Sequence, residues 1–165
     1  MKAIVAVDEK WGIGKNNDLL FSLPADMKFF RETTMGKVVV MGSNTLKSFP
    51  GGNPLKNRVN IVLSSKMQRE DCIIAKDLEE LKAILKTYPT QDLMVIGGAM
   101  FYKTMLPYCE EVLVTKVNAD GDADTFFGNL DALENFTCIS ESEPIETNGI
   151  TIKFTTYKNS SVIEL

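Results

Sequence analysis

The chain has 165 residues, 44% hydrophobic and 24% charged, with a net charge of −4 and a pI near 5.0. This is the composition of an ordinary globular protein, and its length predicts one domain over residues 1–165 with a substantial buried core. No basic run occurs, which argues against nucleic-acid or membrane-surface partners but leaves room for an anionic small molecule held by a few local cations.

Residues 3–7, Ala-Ile-Val-Ala-Val, form a continuous apolar run, predicted as a strand buried on both faces. The run stops at Asp8-Glu9-Lys10, too short for a signal peptide or a membrane span, so a cytoplasmic protein is expected. From Asp8 to Ser22, Gly12, Gly14, Asn16, Asn17 and mixed charges predict a long loop, of the kind that serves as a functional lid. Gly12-Ile13-Gly14-Lys15-Asn16-Asn17 falls one glycine short of GxGxxG and opens no helix pattern. Pro24 is pre-set for the first turn of a helix over 24–34. Leu23, Met27 and Phe30 at i, i+4 and i+7 give that helix an apolar face, with Asp26 close beside it. Asp26 has two readings. It is a solvated first-turn acid favoured by the helix dipole, or the one charged group in an apolar pocket, where burial raises its pKa for proton chemistry.

Lys37–Met41 is the next buried strand, running into Gly42-Ser43-Asn44-Thr45 and a short helical stretch, Leu46–Phe49. Strand, glycine, small hydroxyl residues and helix start offer backbone N–H groups to an anion; plain N-capping by Ser43 or Thr45 explains the pattern equally well. Pro50-Gly51-Gly52-Asn53-Pro54 is turn-rich. Arg58–Leu63 carries a strand followed by Ser64-Ser65-Lys66, Cys72–Ala75 a short one, and Asp77 caps a helix through about Lys86. Leu93–Ile96 is another buried strand, and Gly97-Gly98 lead into a helix, Ala99–Met105. Two adjacent glycines at such a joint imply that another backbone or a ligand passes very close. Longer strands follow at Val112–Val117, Phe136–Ser140 and Ile150–Tyr157, with an acidic loop, Asn118–Asn129, between the first two. The order predicts an α/β single domain: a mainly parallel central sheet with flanking helices and an antiparallel C-terminal edge. Cys72, Cys109 and Cys138 are odd in number and lack CxxC spacing, as expected of thiols in a reducing compartment.

Ligands of open α/β sheets bind beyond the carboxyl ends of the strands. Those ends carry the 8–22 loop and the turns at 42–45, 64–66 and 97–98, two of which open helices and suit a dinucleotide's pyrophosphate. The Asp26 helix follows the first strand's loop to the same rim. The chain has no histidine, which excludes His-based triads and imidazole-ligated zinc; no metal is expected. A dinucleotide and one semi-buried carboxylate point to hydride transfer with one proton supplied.

Gly12-Ile13-Gly14-Lys15-Asn16, Leu23-Pro24-Ala25-Asp26, Val40-Met41-Gly42-Ser43-Asn44-Thr45, Asn57-Arg58, Val95-Ile96-Gly97-Gly98-Ala99 and Asp124-Thr125-Phe126-Phe127 occur in an order and spacing that resemble the dihydrofolate reductase family. The similarity covers nearly the whole chain. It implies NADPH-dependent reduction of 7,8-dihydrofolate to tetrahydrofolate, antifolate-type ligands, and a monomer. Asp26 resembles the family's lone carboxylate, which holds the pterin 2-amino group and N3 and promotes protonation at N5 before hydride reaches C6. Thr115 resembles the residue supporting it through a water. Ile4, Val5, Met27, Phe30, Ser48, Phe49, Leu55 and Ile96 match the surroundings of the pterin and benzoyl rings. Arg58 matches the cation that pairs with the glutamate α-carboxylate, where bidentate geometry favours Arg over Lys. For the cofactor the resemblance implies Ala6, Ile13, Gly14, Asn17, Leu19, Gly42, Ser43, Asn44, Thr45, Leu63, Ser64, Ser65, Lys76, Ile96, Gly97, Gly98, Ala99, Met100, Phe101, Tyr102 and Thr125, with a cis Gly97–Gly98 peptide. Residues 9–22 match the mobile lid, and Asp124 the residue that latches it.

Three positions depart from the family pattern. Phe21, placed with the catalytic residues, stands where many members have a Trp whose N–H organises a water, so proton delivery is expected to differ. Ser43 and Met100 stand where cations commonly bind the 2′-phosphate of NADPH. NADPH is still expected to be preferred, through Ser43, Thr45, Ser64 and Ser65 with Lys66 or Lys76, but with weaker discrimination against NADH. Two alternatives are a riboflavin-pathway pyrimidine reductase, which lacks the Leu-Pro-Ala-Asp helix start, and a non-catalytic dinucleotide-binding module, which has no need for Asp26, Thr115 and Arg58 together.

Overall fold

Alternating apolar runs and amphipathic stretches fold, in the computed structural model, which describes residues 1–165, into twelve strands and four α-helices. In chain order these are β1 (Lys2–Val7), β2 (Gly12–Lys15), β3 (Asp18–Leu19), α1 (Pro24–Thr34), β4 (Val38–Gly42), α2 (Ser43–Ser48), β5 (Val59–Leu63) and β6 (Ile73–Ala75). Then come α3 (Leu78–Leu85), β7 (Leu93–Gly97), α4 (Ala99–Met105), β8 (Glu111–Val117), β9 (Thr125–Phe126), β10 (Phe136–Glu141), β11 (Ile145–Thr147) and β12 (Ile150–Asn159). No helix is long and apolar enough to cross a membrane.

The central sheet runs β10-β12-β8-β1-β7-β4-β5-β6, with β11 added on β12. From β6 to β8 every pairing is parallel; β12 is antiparallel to β8, β10 and β11. The expected architecture is therefore present, antiparallel edge included. β7 sits between β1 and β4, and the chain then crosses to β8 on the far side of β1. Connections thus diverge near β1 and β7, the arrangement that opens a crevice at the strands' carboxyl ends.

Period-two alternation divides the core. On one face Ala3, Val5 and Val7 of β1 pack with Leu81 and Leu85 of α3 and Phe101, Tyr102 and Met105 of α4. On the other, Ile4, Val39, Met41, Val62 and Ile96 pack with Leu46 of α2, and half-buried Phe29, Phe30, Phe49 and Leu55 close over them. Each fully buried Leu, Ile or Val contributes about 1.5–3 kcal/mol relative to exposure. Local signals fix several boundaries: Pro24 opens α1, and the Asp77 side chain accepts from Glu80 N at 2.8 Å to cap α3.

Three expectations are corrected. The 8–22 segment is not a plain loop: β2 and β3 form a ribbon that pairs with β9 in a separate three-stranded sheet. Asn16 and Asn17, at φ 53° and 59°, make its two-residue turn, a conformation asparagine tolerates well. The 118–129 loop likewise contains β9. Finally, α2 begins at Ser43 instead of Leu46, Gly42 occupies the cap position, and neither Ser43 nor Thr45 caps it by a side chain.

Candidate active site

Leu23 is buried with Val117 of β8 and Ile152 of β12, which anchors the start of α1 across those strands, and its carbonyl accepts from Met27 N at 2.9 Å. This holds the Asp26 carboxyl partly buried beside Thr115, itself buried on β8 opposite Ala6 of β1. Burial pushes the pKa of Asp26 up, and interaction with the Thr115 hydroxyl pulls more weakly the other way. Asp26 is half-buried, neither a fully solvated first-turn acid nor a fully enclosed carboxyl. Ile4, Ile96, Phe30, Phe49 and Leu55 share one apolar cluster on this side of the sheet. Phe29 stacks on Phe154 at 4.4 Å, and Phe21 packs beside Leu23.

Not every expected residue joins this group. The Val5 side chain belongs to the opposite face, so only its backbone borders the crevice. Met27 is exposed. Ser48 is exposed, and its Oγ donates to Thr45 O at 2.6 Å within its own helix.

Arg58 is positioned by a residue that sequence reasoning did not single out. The buried Asn60 side chain accepts from Leu55 N at 2.9 Å and donates to Leu55 O at 2.9 Å and Arg58 O at 3.1 Å, stapling the 55–58 turn. Arg58 Nε is buried with no acceptor. Burial lowers the guanidinium pKa, and the nearby Arg31 lowers it further, yet guanidinium remains charged at neutral pH. Arg31 was also missed; its only sequence signal is a cation immediately after Phe30 on the α1 face.

At the β7–α4 joint the Gly97–Gly98 peptide is cis, as expected. A Cβ on Gly97 would stand 3.1 Å from Thr45 Oγ1, and one on Gly98 3.4 Å away. The close neighbour of both glycines is the Thr45 side chain on α2, not the backbone of another segment. The buried Tyr102 hydroxyl donates to Ile4 O at 2.6 Å; burial, and then the charge of Asp26, raise its pKa, so it stays protonated. Phe101 is buried in the opposite core, Ala99 is half-buried and Met100 is 78% exposed.

An open groove of about 450 Å³ lies at the carboxyl ends of β4 and β5. Ser43 and Lys47 of α2, Leu63 with Ser64, Ser65 and Lys66, and Lys76 with Asp77 and Leu78 line it. Its three ammonium groups and serine hydroxyls are a donor set for a phosphate. Lys47 was missed, although its i+4 spacing from Ser43 puts both on one helix face. Asn44, at the start of α2, is exposed.

The β2–β3 ribbon is anchored to the larger core at its base. Ile13 packs into the larger core, whereas Asn17 and Leu19 are exposed at its tip. Asp124 accepts from Asn16 N at 2.9 Å and from Thr125 Oγ1 at 2.9 Å, and its own N–H donates to Gly14 O at 3.0 Å. These bonds to the carboxylate hold its pKa below the usual range. Trp11 lies at the base, between Phe127 at 6.3 Å and Tyr157 at 5.9 Å. Asp124→Ala is expected to speed amide exchange at Asn16 about fivefold, the worth of one exposed hydrogen bond, while Gly12 stays protected. Equal acceleration at both amides, read by NMR, would mean that Asp124 holds the whole ribbon and not its tip.

A family model described as Dihydrofolate reductase matches residues 1–159. The dihydrofolate reductase of Haemophilus influenzae is 39% identical over 127 residues, 77% of this chain and 78% of that protein. That of Bacillus subtilis is 34% identical over 164 residues, 96% of this chain and 95% of the relative. A solved structure of dihydrofolate reductase from Enterococcus faecalis, complexed with NADP(H) and RAB-propyl, matches with a TM-score of 0.83 at 32% identity, covering 96% of this chain and 95% of that one. A family match spanning nearly the whole chain, a relative aligned along its length and a shared fold agree: the chain belongs to the dihydrofolate reductase family.

Proposed function

We propose that this protein reduces 7,8-dihydrofolate to 5,6,7,8-tetrahydrofolate with NADPH, acting as a cytoplasmic monomer in which residues 1–165 form one reductase domain without a nucleic-acid partner. The observation that carries the reading is Asp26: a half-buried carboxyl beside Thr115, on the helix whose Phe30 packs into the apolar cluster around Ile4 and Ile96, with burial pushing its pKa up. When bound, NADPH supplies the hydride that reaches C6.

Asp26 accepts from the pterin 2-amino group and N3 and promotes proton arrival at N5. Thr115 orients its carboxylate. The Phe21 side chain has no N–H to offer, so the proton-carrying water is held by other groups. Ile4, Phe30, Phe49, Leu55 and Ile96 exclude bulk water from the rings, Val5 contributes backbone, and the exposed Met27 and Ser48 lie at the rim. Arg58 pairs with the glutamate carboxylate, in a field strengthened by Arg31. The nicotinamide end is served by Ala6, Ile13, Gly14, Asn17 and Leu19 with Ile96, Gly97 and Gly98. The rest of the cofactor is held by Gly42 to Thr45, Leu63 to Ser65, Lys76, Ala99 to Tyr102 and Thr125. Tyr102 and Phe101 act from beneath, since both are buried.

Dihydrofolate-dependent oxidation of NADPH by the purified protein, abolished by methotrexate, tests the reading. A pyrimidine reductase would ignore both folate and methotrexate, and a binding module would bind NADPH without oxidising it.

Cofactor choice is assigned to Lys47, Lys66 and Lys76, which compensate for Ser43 and Met100. Each is exposed, so each is worth little alone, and replacing all three with Ala is expected to lower kcat/KM for NADPH about 5- to 30-fold. The value for NADH should stay within about twofold, because only the 2′-phosphate meets those charges. Equal losses for both cofactors would place the 2′-phosphate elsewhere.

A further inference from the structure

The Asp8 carboxylate is 3% exposed and plays no part in the chemistry above. Its Oδ1 accepts from Gly12 N at 2.7 Å and Lys10 N at 2.9 Å, and its Oδ2 from Gly121 N at 3.0 Å. The first two donors belong to the turn leading into β2. The third belongs to the loop between β8 and β9. The backbone of Asp8 closes the same turn, donating to Gly12 O and accepting from Trp11 N, each at 3.0 Å. One buried carboxylate therefore fixes two loops through charge-assisted bonds, the stronger class of hydrogen bond. The other side-chain ties across this junction, Lys10–Asp120 at 2.8 Å, Lys15–Asp122 at 3.0 Å and Asn16–Asp124 at 2.9 Å, join exposed residues and hold weakly.

Gly121 is also confined on its other side. A Cβ there would stand 2.9 Å from Leu20 Cδ2 and 3.1 Å from Phe21 Cζ. Leu20 and Phe21 end the ribbon segment and lead directly into Leu23 and the Asp26 helix. Gly121 thus lies between the Asp8 carboxylate and the tips of Leu20 and Phe21, in a loop that Glu9 N also ties through Ala119 O at 3.1 Å.

We propose that Asp8 is a positioning residue of the reductase: through Gly121 it holds Leu20 and Phe21 at the mouth of the Asp26 pocket. This rests on the reductase reading. Asp8→Asn separates the bonds cleanly. A carboxamide has one acceptor oxygen and one donor NH₂. With its oxygen kept on Lys10 and Gly12, its NH₂ faces the Gly121 N–H, donor against donor. The turn survives and the bridge is lost.

The test uses the full chain with NADPH and dihydrofolate, following hydride transfer by stopped flow and amide exchange by NMR. In Asp8→Asn the Gly121 amide should exchange faster while Lys10 and Gly12 stay protected. Hydride transfer should slow about tenfold, below the roughly 100-fold cost of a full ångström of misplacement, with NADPH affinity little changed. Gly121→Ala, which crowds Leu20 and Phe21 with Asp8 intact, should slow hydride transfer similarly, and it decides the matter if Asp8→Asn does not fold. In a Leu20→Ala background either change should add less than about twofold, since coupled residues are non-additive. Hydride transfer at the wild-type rate in Asp8→Asn despite a freed Gly121 overturns the proposal. So does an unimpaired Gly121→Ala, or full additivity with Leu20→Ala. Wild-type protein unable to turn over dihydrofolate would instead overturn the reductase reading, while the exchange pattern still reports whether Asp8 bridges the two loops.

Discussion

Asp26→Asn is expected to lower kcat at neutral pH by about 10²–10⁴, the usual worth of a positioned acid–base group. Hydride arrival at C6 leaves an electron pair on N5, so a proton must reach N5 first or together with it. The chain has no histidine to substitute, and the buried Tyr102 hydroxyl is already committed to Ile4 O. Asparagine keeps the size and part of the hydrogen bonding of Asp26 but neither carries charge nor exchanges a proton. Stability should move the opposite way to activity. The folded pKa of Asp26 lies above its ordinary value of 3.8 because burial disfavours the charged form. Between the two values the native state binds the extra proton, so stability falls as pH rises through that window. The penalty is complete above the folded pKa and absent below 3.8. Asp26→Asn removes it, so the variant should equal or exceed wild type in Tm at neutral pH, and the difference should vanish in acid. The catalytic defect should also shrink as pH falls, because solvent then protonates the substrate unaided. Stopped-flow hydride transfer across pH 5–9 checks the activity, and thermal melts of both proteins from acid to neutral pH check the stability. A variant as fast as wild type at pH 7, or a defect constant down to pH 5, sinks the role assigned to Asp26.

The parts of this molecule that were legible in its sequence are those specified by neighbours in the chain. Pro24 opened α1 and Asp77 capped α3 where expected, because a fixed φ and a short acceptor act within one turn. The central strands announced themselves as apolar runs, since burial on both faces leaves no polar position to interrupt them. The ribbon reads as loop because β2 and β3 are four and two residues long and close a sheet with β9; Asn16 meets Asp124 across 108 residues. Asp8 reads as the first residue of a long loop, since its partners are backbone N–H groups, one of them 113 residues away. The side chain of Val5 could have been assigned to the far face by its alternation with Ile4. Asp26 is visible as a candidate from helix spacing, but its half-buried place beside Thr115 is not, because that neighbour lies on β8, far along the chain. Nothing local marks Asn60 as the residue that shapes the Arg58 turn, because its partners become visible only once the turn is closed.

Arg58→Leu is expected to raise KM for dihydrofolate about 10- to 150-fold, the worth of a hydrogen bond to a charged group, with kcat within about twofold. A change confined to KM marks binding energy realised equally in ground and transition states. That is what a contact remote from C6 and N5 should give. Arg58 is suited to the task because Asn60 fixes its backbone and its buried Nε lacks an acceptor. A planar carboxylate satisfies Nε and one terminal nitrogen together, which an ammonium does not, so Arg58→Lys should recover only part of the loss. Arg31 lies close enough to depress the Arg58 pKa, and a bound carboxylate relieves that repulsion. Arg31→Ala should therefore weaken substrate binding by only a few-fold, as expected of an exposed charge. The decisive control is a dihydropterin lacking the glutamyl group. It offers Arg58 nothing to bind, so wild type and Arg58→Leu should turn it over with the same kcat/KM. A variant equally impaired on both substrates would mean that Arg58 shapes the pterin pocket and does not pair with the glutamate carboxylate.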